Sequence, residues 1–439
     1  MEKTLKSATE LIDFIHESPS PFHVVVNTSR MLEKAGFQKL DLSEKWSLKK
    51  GEKYYTTRNG SAIFAFITGT EPPEETGIRM ISAHSDSPSF KIKPSPEMTV
   101  EDYYLKFNTE VYGGPVLMSW LDRPLSMAGR VIIESKDPLR PEPRLVNFNR
   151  PMMIIPNLAI HLNRSVNEGI ELNKQTDMLP LTGILGEGRE KNGFLLELLA
   201  REAGVEASRI LDYDITLNEN SRGCIMGAAN EFISSSRIDD LAMVHAGVKA
   251  MTAATPSSST KMLCIFDNEE VGSQTKQGAG SPVFRNLFER ILRQAGQEEE
   301  AIQQTIYRSF MISADMAHSI HPNHPEKHDP VLHPLINKGP VIKVHANQKY
   351  TTDGDSSAVF ETICKMAGVP FQKFVNRSDM AGGSTLGNVS TTQLDIRTVD
   401  IGNPMLAMHS VRELSGVKDH EYVTRAFETF YNLPEGATH

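Results

Sequence analysis

No stretch of this 439-residue chain approaches the roughly 18 uninterrupted apolar residues of a membrane-spanning helix, so no transmembrane segment is expected. The first residues, MEKTLKSATELIDFIHESPSPF, have neither a continuous apolar core nor a small-residue cleavage site. Ser7 and Glu10 stand at capping-box spacing and Leu11, Ile12 and Ile15 recur at the helical period, so an amphipathic helix is expected there instead of a signal peptide. Cysteine is scarce. Cys224, Cys264 and Cys364 lie far apart, which excludes a disulfide framework and a thiolate metal cluster and points to a reducing, cytoplasmic compartment. Positive charge is in deficit: a formal net charge of −9 and a pI near 5.9 argue against nucleic acid or an anionic membrane as partner. Internal repeats, long low-complexity tracts and flexible interdomain linkers are missing too.

What is present reads as an ordinary globular composition in a chain too long for one hydrophobic core, so two domains are expected. Helix signals fill residues 7–36, with Gly36 as a stop. YYTT, then Arg58-Asn59-Gly60-Ser61, then AIFAFITG, predict a hairpin around a tight Asn-Gly turn, followed by the strand IRMISAHSDS. From about 95 to 229 alternating segments such as GRVIIES and many Pro and Asn residues predict a mainly β region, with one helix over 188–204. After Asn230 a strand–helix rhythm returns: helices over 237–251, 284–296 and 357–368, strands over 261–266 and 310–315, and a further strand within 391–402. The economical architecture is an α/β domain formed by residues 1–94 and 230–439, interrupted by a β-rich insertion over 95–229.

Metal-ligand residue types stand at five segment ends. In Ser82-Ala83-His84-Ser85-Asp86, the His and Asp share a face of an extended chain, so His84 can offer one ring nitrogen to a metal while Asp86 orients the other. Asp239 and Asp240 stand at a predicted helix N-terminus, Asp267, Glu269 and Glu270 follow an apolar strand, Asp315 ends another, and His409 precedes a further expected helical start. Singly, each reads more often as a cap, a packed core residue or a solvated turn. Jointly they terminate apolar segments, and in open α/β sheets such ends converge on one edge. Imidazole and carboxylate without thiolate suit Zn²⁺, Co²⁺ or Mn²⁺. Two His and three carboxylates can hold two ions, one carboxylate being shared. A further unligated carboxylate must then take the proton of the attacking water, and the Glu269-Glu270 pair can divide these tasks.

HSD at 84–86, SSRIDDL at 235–241, FDNEEVGS at 266–273, SADMAHSIHPN at 313–323, GPVIKVHANQKY at 339–350 and AMHSVRE at 407–413 resemble the aspartyl aminopeptidase family of dinuclear-zinc exopeptidases. SPSPFH at 18–23 and IPNLAIHL at 155–162 extend the resemblance over nearly the whole chain. The resemblance implies a three-layer α/β/α zinc-exopeptidase catalytic domain with an inserted β domain that mediates dimerisation and larger assembly. It implies His84, Asp239, Glu270, Asp315 and His409 as ligands of two Zn²⁺, replaceable by Co²⁺ or Mn²⁺, with Asp239 bridging. Glu269 becomes the general acid/base and Asp86 the residue that orients His84, while His318, Lys343 and Tyr350 contact substrate and His161 reaches a neighbouring subunit's site. The implied assembly is a tetrahedral homododecamer built from dimers, acting on peptides with a free N-terminus and preferring an acidic first residue. Asp240 stands where the family commonly has Asn, which leaves the bridging ligand open between Asp239 and Asp240, and RSDMAGGSTLG at 377–387 follows the family's Gly-Ser-Thr pattern loosely.

Other features read more plainly. His321, His324, His328 and His333 fall in a proline-broken run, better a loop near the site than a further metal site. Lys343 is either a strand-end lysine reaching solvent or, by its position in the resemblance, a partner for a substrate carboxylate. His245 falls in a helix interior as a packed core residue, and the methionines read as core filler. Two alternatives to an aminopeptidase stand beside it: a related dinuclear-zinc carboxypeptidase or N-deacylase, and a non-catalytic assembly or cargo protein on the same frame.

Overall fold

The computed structural model describes residues 2–186 and 191–434. Its centre is a nine-stranded sheet. Strands Ala62–Ile67, Ile78–His84, Thr260–Phe266 and Phe310–Ala314 are buried at every position, which a strand covered on both faces requires. Alternate side chains divide between two cores. Ile63, Ala65, Ile81, Leu263 and Ile265 meet helices Glu2–Glu17, Pro21–Lys34, Ile238–Ala253 and Val417–Tyr431, whereas Phe64, Phe66, Met80, Met262 and Phe266 meet helices Val283–Gln294 and Glu299–Arg308. The result is a three-layer α/β/α arrangement. Four neighbouring strands at its middle, Thr260–Phe266, Ile78–His84, Phe310–Ala314 and Arg397–Gly402, run parallel, so their C-terminal ends share one edge. Phe266 pairs with His84 in that register. One flank is the expected hairpin, Lys53–Arg58 with Ala62–Ile67, whose turn residues Asn59 and Gly60 take φ of 58° and 69°.

A six-stranded antiparallel sheet is drawn from Ser89–Val100, Tyr104–Tyr112, Leu125–Ile133, Glu142–Asn147, Leu181–Ile184 and Ile210–Glu219. It has a core of its own, in which Phe90, Phe107, Trp120 and Met127 pack with Leu195 and Leu199 of helix Phe194–Ala203. Residues 188–190 of the helix expected over 188–204 lie outside the described residues. A small third sheet links Phe232–Ser235, Glu413–Gly416 and Pro404–Leu406, bringing the turn that bears His409 beside the start of helix Ile238–Ala253.

Three local expectations are corrected. Residues 7–36 form two helices, broken at Ser18-Pro19-Ser20, because Pro21 can start a helix but not continue one. Ser7 caps nothing, since the first helix already begins at Glu2. His409 is not followed by a helix: pairing of Met405 with Ser415 and Leu406 with Leu414 closes an antiparallel turn across it. The three cysteines are unpaired, Cys264 and Cys364 being buried and Cys224 exposed. Among the described residues no helix is long and apolar enough to cross a membrane.

Candidate metal centre

The parallel edge gathers the acidic and imidazole side chains. His84 ends one strand, Asp315 follows the next, and Glu269 and Glu270 form a short 3₁₀ turn just beyond Phe266. Helix Ile238–Ala253 contributes Asp239 and Asp240, joined by a cis peptide bond, and the third sheet contributes His409. The Asp239 carboxylate lies between the two imidazoles: Oδ1 is 3.6 Å from His84 Nε2 and Oδ2 is 3.5 Å from His409 Nε2. Asp315 Oδ1 is 4.0 Å from His84 Nε2, and Glu270 Oε2 is 3.4 Å from His409 Nε2. These separations exceed ordinary hydrogen bonds. They approach the ~3.3 Å expected between two ligands held 2.0–2.1 Å from one tetrahedral ion. Among the described residues, His84, Asp239, Asp240 and Asp315 form one group able to hold an ion, Asp239, Glu270 and His409 another, and His84, Glu269 and Glu270 a third; ligand atoms within each lie within 4.8 Å of one another. Asp239 belongs to the first two.

The electrostatics fit a cation. Asp239 Oδ1, Asp240 Oδ1 and Glu270 Oε1 are buried without a hydrogen-bond partner, a costly condition for carboxylates that positive charge relieves. Burial first, and then the charge of Asp239, pushes Glu270 well up. Burial, with repulsion from Asp315, Asp86 and Asp239 against the pull of His84, raises Glu269 to about 8. Burial alone would raise Asp239 as well, but His409 and His84 hold it below the ordinary carboxylate value. Crowded acids that retain protons at neutral pH are what a site built for divalent ions looks like without them.

Other groups hold these side chains in place. His84 Nδ1 bonds the main-chain oxygen of Asp86 at 3.0 Å, while the Asp86 carboxylate stands 3.4 Å away. That carboxylate accepts the amides of Glu269 (3.1 Å) and Glu270 (3.2 Å) and the hydroxyl of Tyr112 (2.6 Å). Glu413, which the sequence reading missed although it closes the AMHSVRE motif, accepts the amides of Asp239 (3.0 Å) and His409 (2.8 Å). Asp240 Oδ2 accepts the amide of His84 at 3.1 Å.

Glu269, Glu270, Asp315 and His409 open onto a cavity of about 1190 Å³, its mouth included, lined also by His318, Lys343, Tyr350 and Gly383–Thr385. Lys343 is buried rather than solvent-reaching, with Nζ 3.7 Å from Asp315 Oδ2 and 5.6 Å from the centre of the Tyr350 ring. Burial would lower its pKa, but Asp315, Tyr350 and Asp400 outweigh that and keep it above the usual lysine value. Asp400, also missed, ties two walls of the cavity, accepting the Thr351 amide (2.6 Å) and the Thr385 hydroxyl (2.8 Å). His161 is exposed and does not line this cavity. His245 is a core residue as expected, 2.9 Å from His420.

A three-layer α/β/α sheet with carboxylates and imidazoles crowded on its strand-end edge defines a metallohydrolase. The family described as aminopeptidase I zinc metalloprotease (M18) matches residues 14–431, and the chain belongs to it; the protein is a zinc metallo-aminopeptidase. The probable M18 family aminopeptidase 2 of Clostridium novyi is 52% identical over 433 residues, spanning 99% of this chain and 100% of that protein. A chain of the Ape4–Nbr1 complex solved by cryo-EM superposes with a TM-score of 0.94 at 36% identity, covering 98% of this chain and 86% of its own length. The S. cerevisiae mApe1 dodecamer gives a TM-score of 0.85 at 27% identity, with 97% and 96% covered.

Proposed function

We propose that His84, Asp239, Glu270, Asp315 and His409 hold two zinc ions, with Asp239 shared, and that this centre removes the N-terminal residue of a peptide. The observation that carries the reading is Asp239, whose two oxygens face two different imidazoles at 3.6 and 3.5 Å. Zinc held there would supply Lewis acidity and lower the pKa of a water toward ~7. The residues of the chain do the rest. Glu269, on the cavity wall and free of the ligand set proposed, takes the water's proton and returns it to the leaving amine. Asp86 fixes the turn that carries Glu269 by accepting its amide. His318, Lys343 and Tyr350 position the substrate, and the buried Lys343 ammonium favours an acidic first side chain.

The proposed division of labour assigns residues 1–94 and 230–439 to catalysis and 95–229 to subunit contacts. Assembly follows the dodecameric S. cerevisiae neighbour, with His161 directed into a neighbouring subunit's cavity from its exposed loop and dimers arranged with tetrahedral symmetry. The unpaired cysteines support a cytoplasmic setting.

Glu269→Gln is expected to retain two zinc ions per chain by elemental analysis while turnover falls by about 10²–10⁴-fold. Full activity in that variant would refute the assignment. Initial rates on aminoacyl amides bearing Asp, Glu, Leu or Lys test the side-chain preference, and equal rates would remove the role given to Lys343.

A further inference from the structure

The strand Tyr104–Tyr112 leaves the six-stranded sheet at the metal centre, and the segment that follows touches it through Gly113, Gly114 and Val116. The Tyr112 hydroxyl meets Asp86 Oδ2 at 2.6 Å. Its direction is fixed by Asn268: the Asn268 side-chain oxygen is occupied by the Thr275 hydroxyl (2.9 Å) and the Gln277 amide (2.7 Å), so its NH₂ donates to the tyrosine oxygen at 2.8 Å. The tyrosine proton is thereby left for Asp86, a short bond to an ionised acceptor. Gly113, at φ 71°, passes so close to the metal site that a Cβ there would stand 3.1 Å from Glu270 Cβ. The Gly114 carbonyl holds His409 Nδ1 at 3.1 Å, and the Val116 amide holds the His409 carbonyl at 2.9 Å.

We infer that residues 112–116 are a positioning strap through which the six-stranded sheet sets the geometry of the catalytic centre, Tyr112 acting through Asp86 on the Glu269-Glu270 turn and Gly114 and Val116 acting on His409. The inference rests on the site proposed above. Asp86 receives both amides of the 3₁₀ turn, so the tyrosine hydroxyl is the side-chain donor that stops this carboxylate from rotating away from them. At the other end, the ring nitrogen of His409 that faces away from Asp239 and Glu270 is held by the same strap. Tyr112 does not line the cavity onto which Glu269 opens, and its hydroxyl meets Asp86 and Asn268; it is a positioning residue.

Tyr112→Phe removes the hydroxyl and keeps the ring. In the full-length, zinc-loaded protein, kcat is expected to fall about 10–100-fold and zinc, measured by competition with a chelator, to bind more weakly by a similar factor. KM should change by less than about threefold, because uniform substrate binding is untouched. The same change made on Asp86→Asn should add less than about twofold to zinc loss, because the group through which the tyrosine acts is already altered. Wild-type kcat and zinc affinity in Tyr112→Phe, even with a lowered melting temperature, would overturn the inference by leaving the ring a packing role only. So would an undiminished effect on Asp86→Asn. If Tyr112→Phe is silent while Glu269→Gln is inactive, the strap fails and the site stands; if Glu269→Gln is fully active, the site assignment fails instead, whatever the tyrosine does.

Discussion

Helix Ile238–Ala253 carries buried titratable groups at two places, and they are held in opposite ways. At its first turn Asp239 and Asp240 face Glu270, Asp315, His84 and His409, with carboxylate oxygens left without partners. Two turns on, His245 lies in the apolar core, its Nδ1 2.9 Å from His420 Nε2 and its ring 5.2 Å from that of Phe14. The second cluster is a neutral pair joined ring to ring, with His420 Nδ1 left without a partner, pushed by burial to stay unprotonated, His420 to about 3. The first is an excess of anions awaiting compensation. Burial is common to both, so burial alone does not mark a functional group. What separates them is whether the charges present can neutralise one another.

The largest effect that could break this contrast is loss of the shared ligand. Asp239→Asn keeps the shape but removes the charge between the two imidazoles. Turnover and zinc affinity should both fall by more than the ~100-fold upper range typical of an outer-shell change. A variant that retained both ions would show Asp240 to be the shared ligand instead. A smaller effect concerns the metal-free protein. Glu269 is raised to about 8 and Glu270 also lies above its ordinary value. An acid whose folded pKa is raised contributes stability that is fully present below its unfolded value near 4.5 and is lost as pH rises through the folded value. Metal-free protein should therefore lose more than about 1 kcal/mol relative to the zinc-loaded form between pH 5 and 8. Zinc-loaded protein, whose ions offset the same carboxylates, should lack this added loss in thermal or urea unfolding, keeping only the pH dependence that groups elsewhere in the fold give to both forms. Equal slopes for the two forms would remove the case for an anion excess.

The strand ends were legible because fully buried strands announce themselves as short apolar runs, and charge directly after such a run has few structural uses. Thus His84, Asp315 and the Glu269-Glu270 turn were read in place. The local frame of His409 was not. Its turn has Ala407 and His409 at φ of 56° and 66° without a glycine to mark it, and the pairing that closes it is set by the third sheet. Glu413, Tyr112 and Asp400 were missed for a related reason: each acts on a residue far away in the chain, such as Glu413 on Asp239 174 positions earlier. The helices Glu299–Arg308 and Val417–Tyr431 also escaped, the first because few of its residues (Ile302, Thr305, Ile306) are buried and its apolar face is narrow.

The smallest expected effect tests the neutral half of the comparison. A histidine whose folded pKa lies below 6.5 binds fewer protons in the folded state than in the unfolded one, so stability rises with pH through that window. It is complete above about 6.5 and is lost as pH falls, at about 1.4 kcal/mol per pH unit for each buried ring. His420, held to about 3 by burial and by Lys249, and His245, lowered by burial, His420 and Lys249, both contribute. His420→Leu leaves His245 Nδ1 without its partner and should cost ~1–3 kcal/mol at pH 7. The double change His245→Leu and His420→Leu removes both polar groups and should cost less than the single one. It should also flatten the acid limb between pH 6.5 and 4.5 relative to wild type, with kcat unchanged because neither ring reaches the cavity. A double variant less stable than the single, or one whose acid limb matches wild type, would mean that this pair is held by something other than mutual neutrality, and the contrast with the metal edge would lose its physical basis.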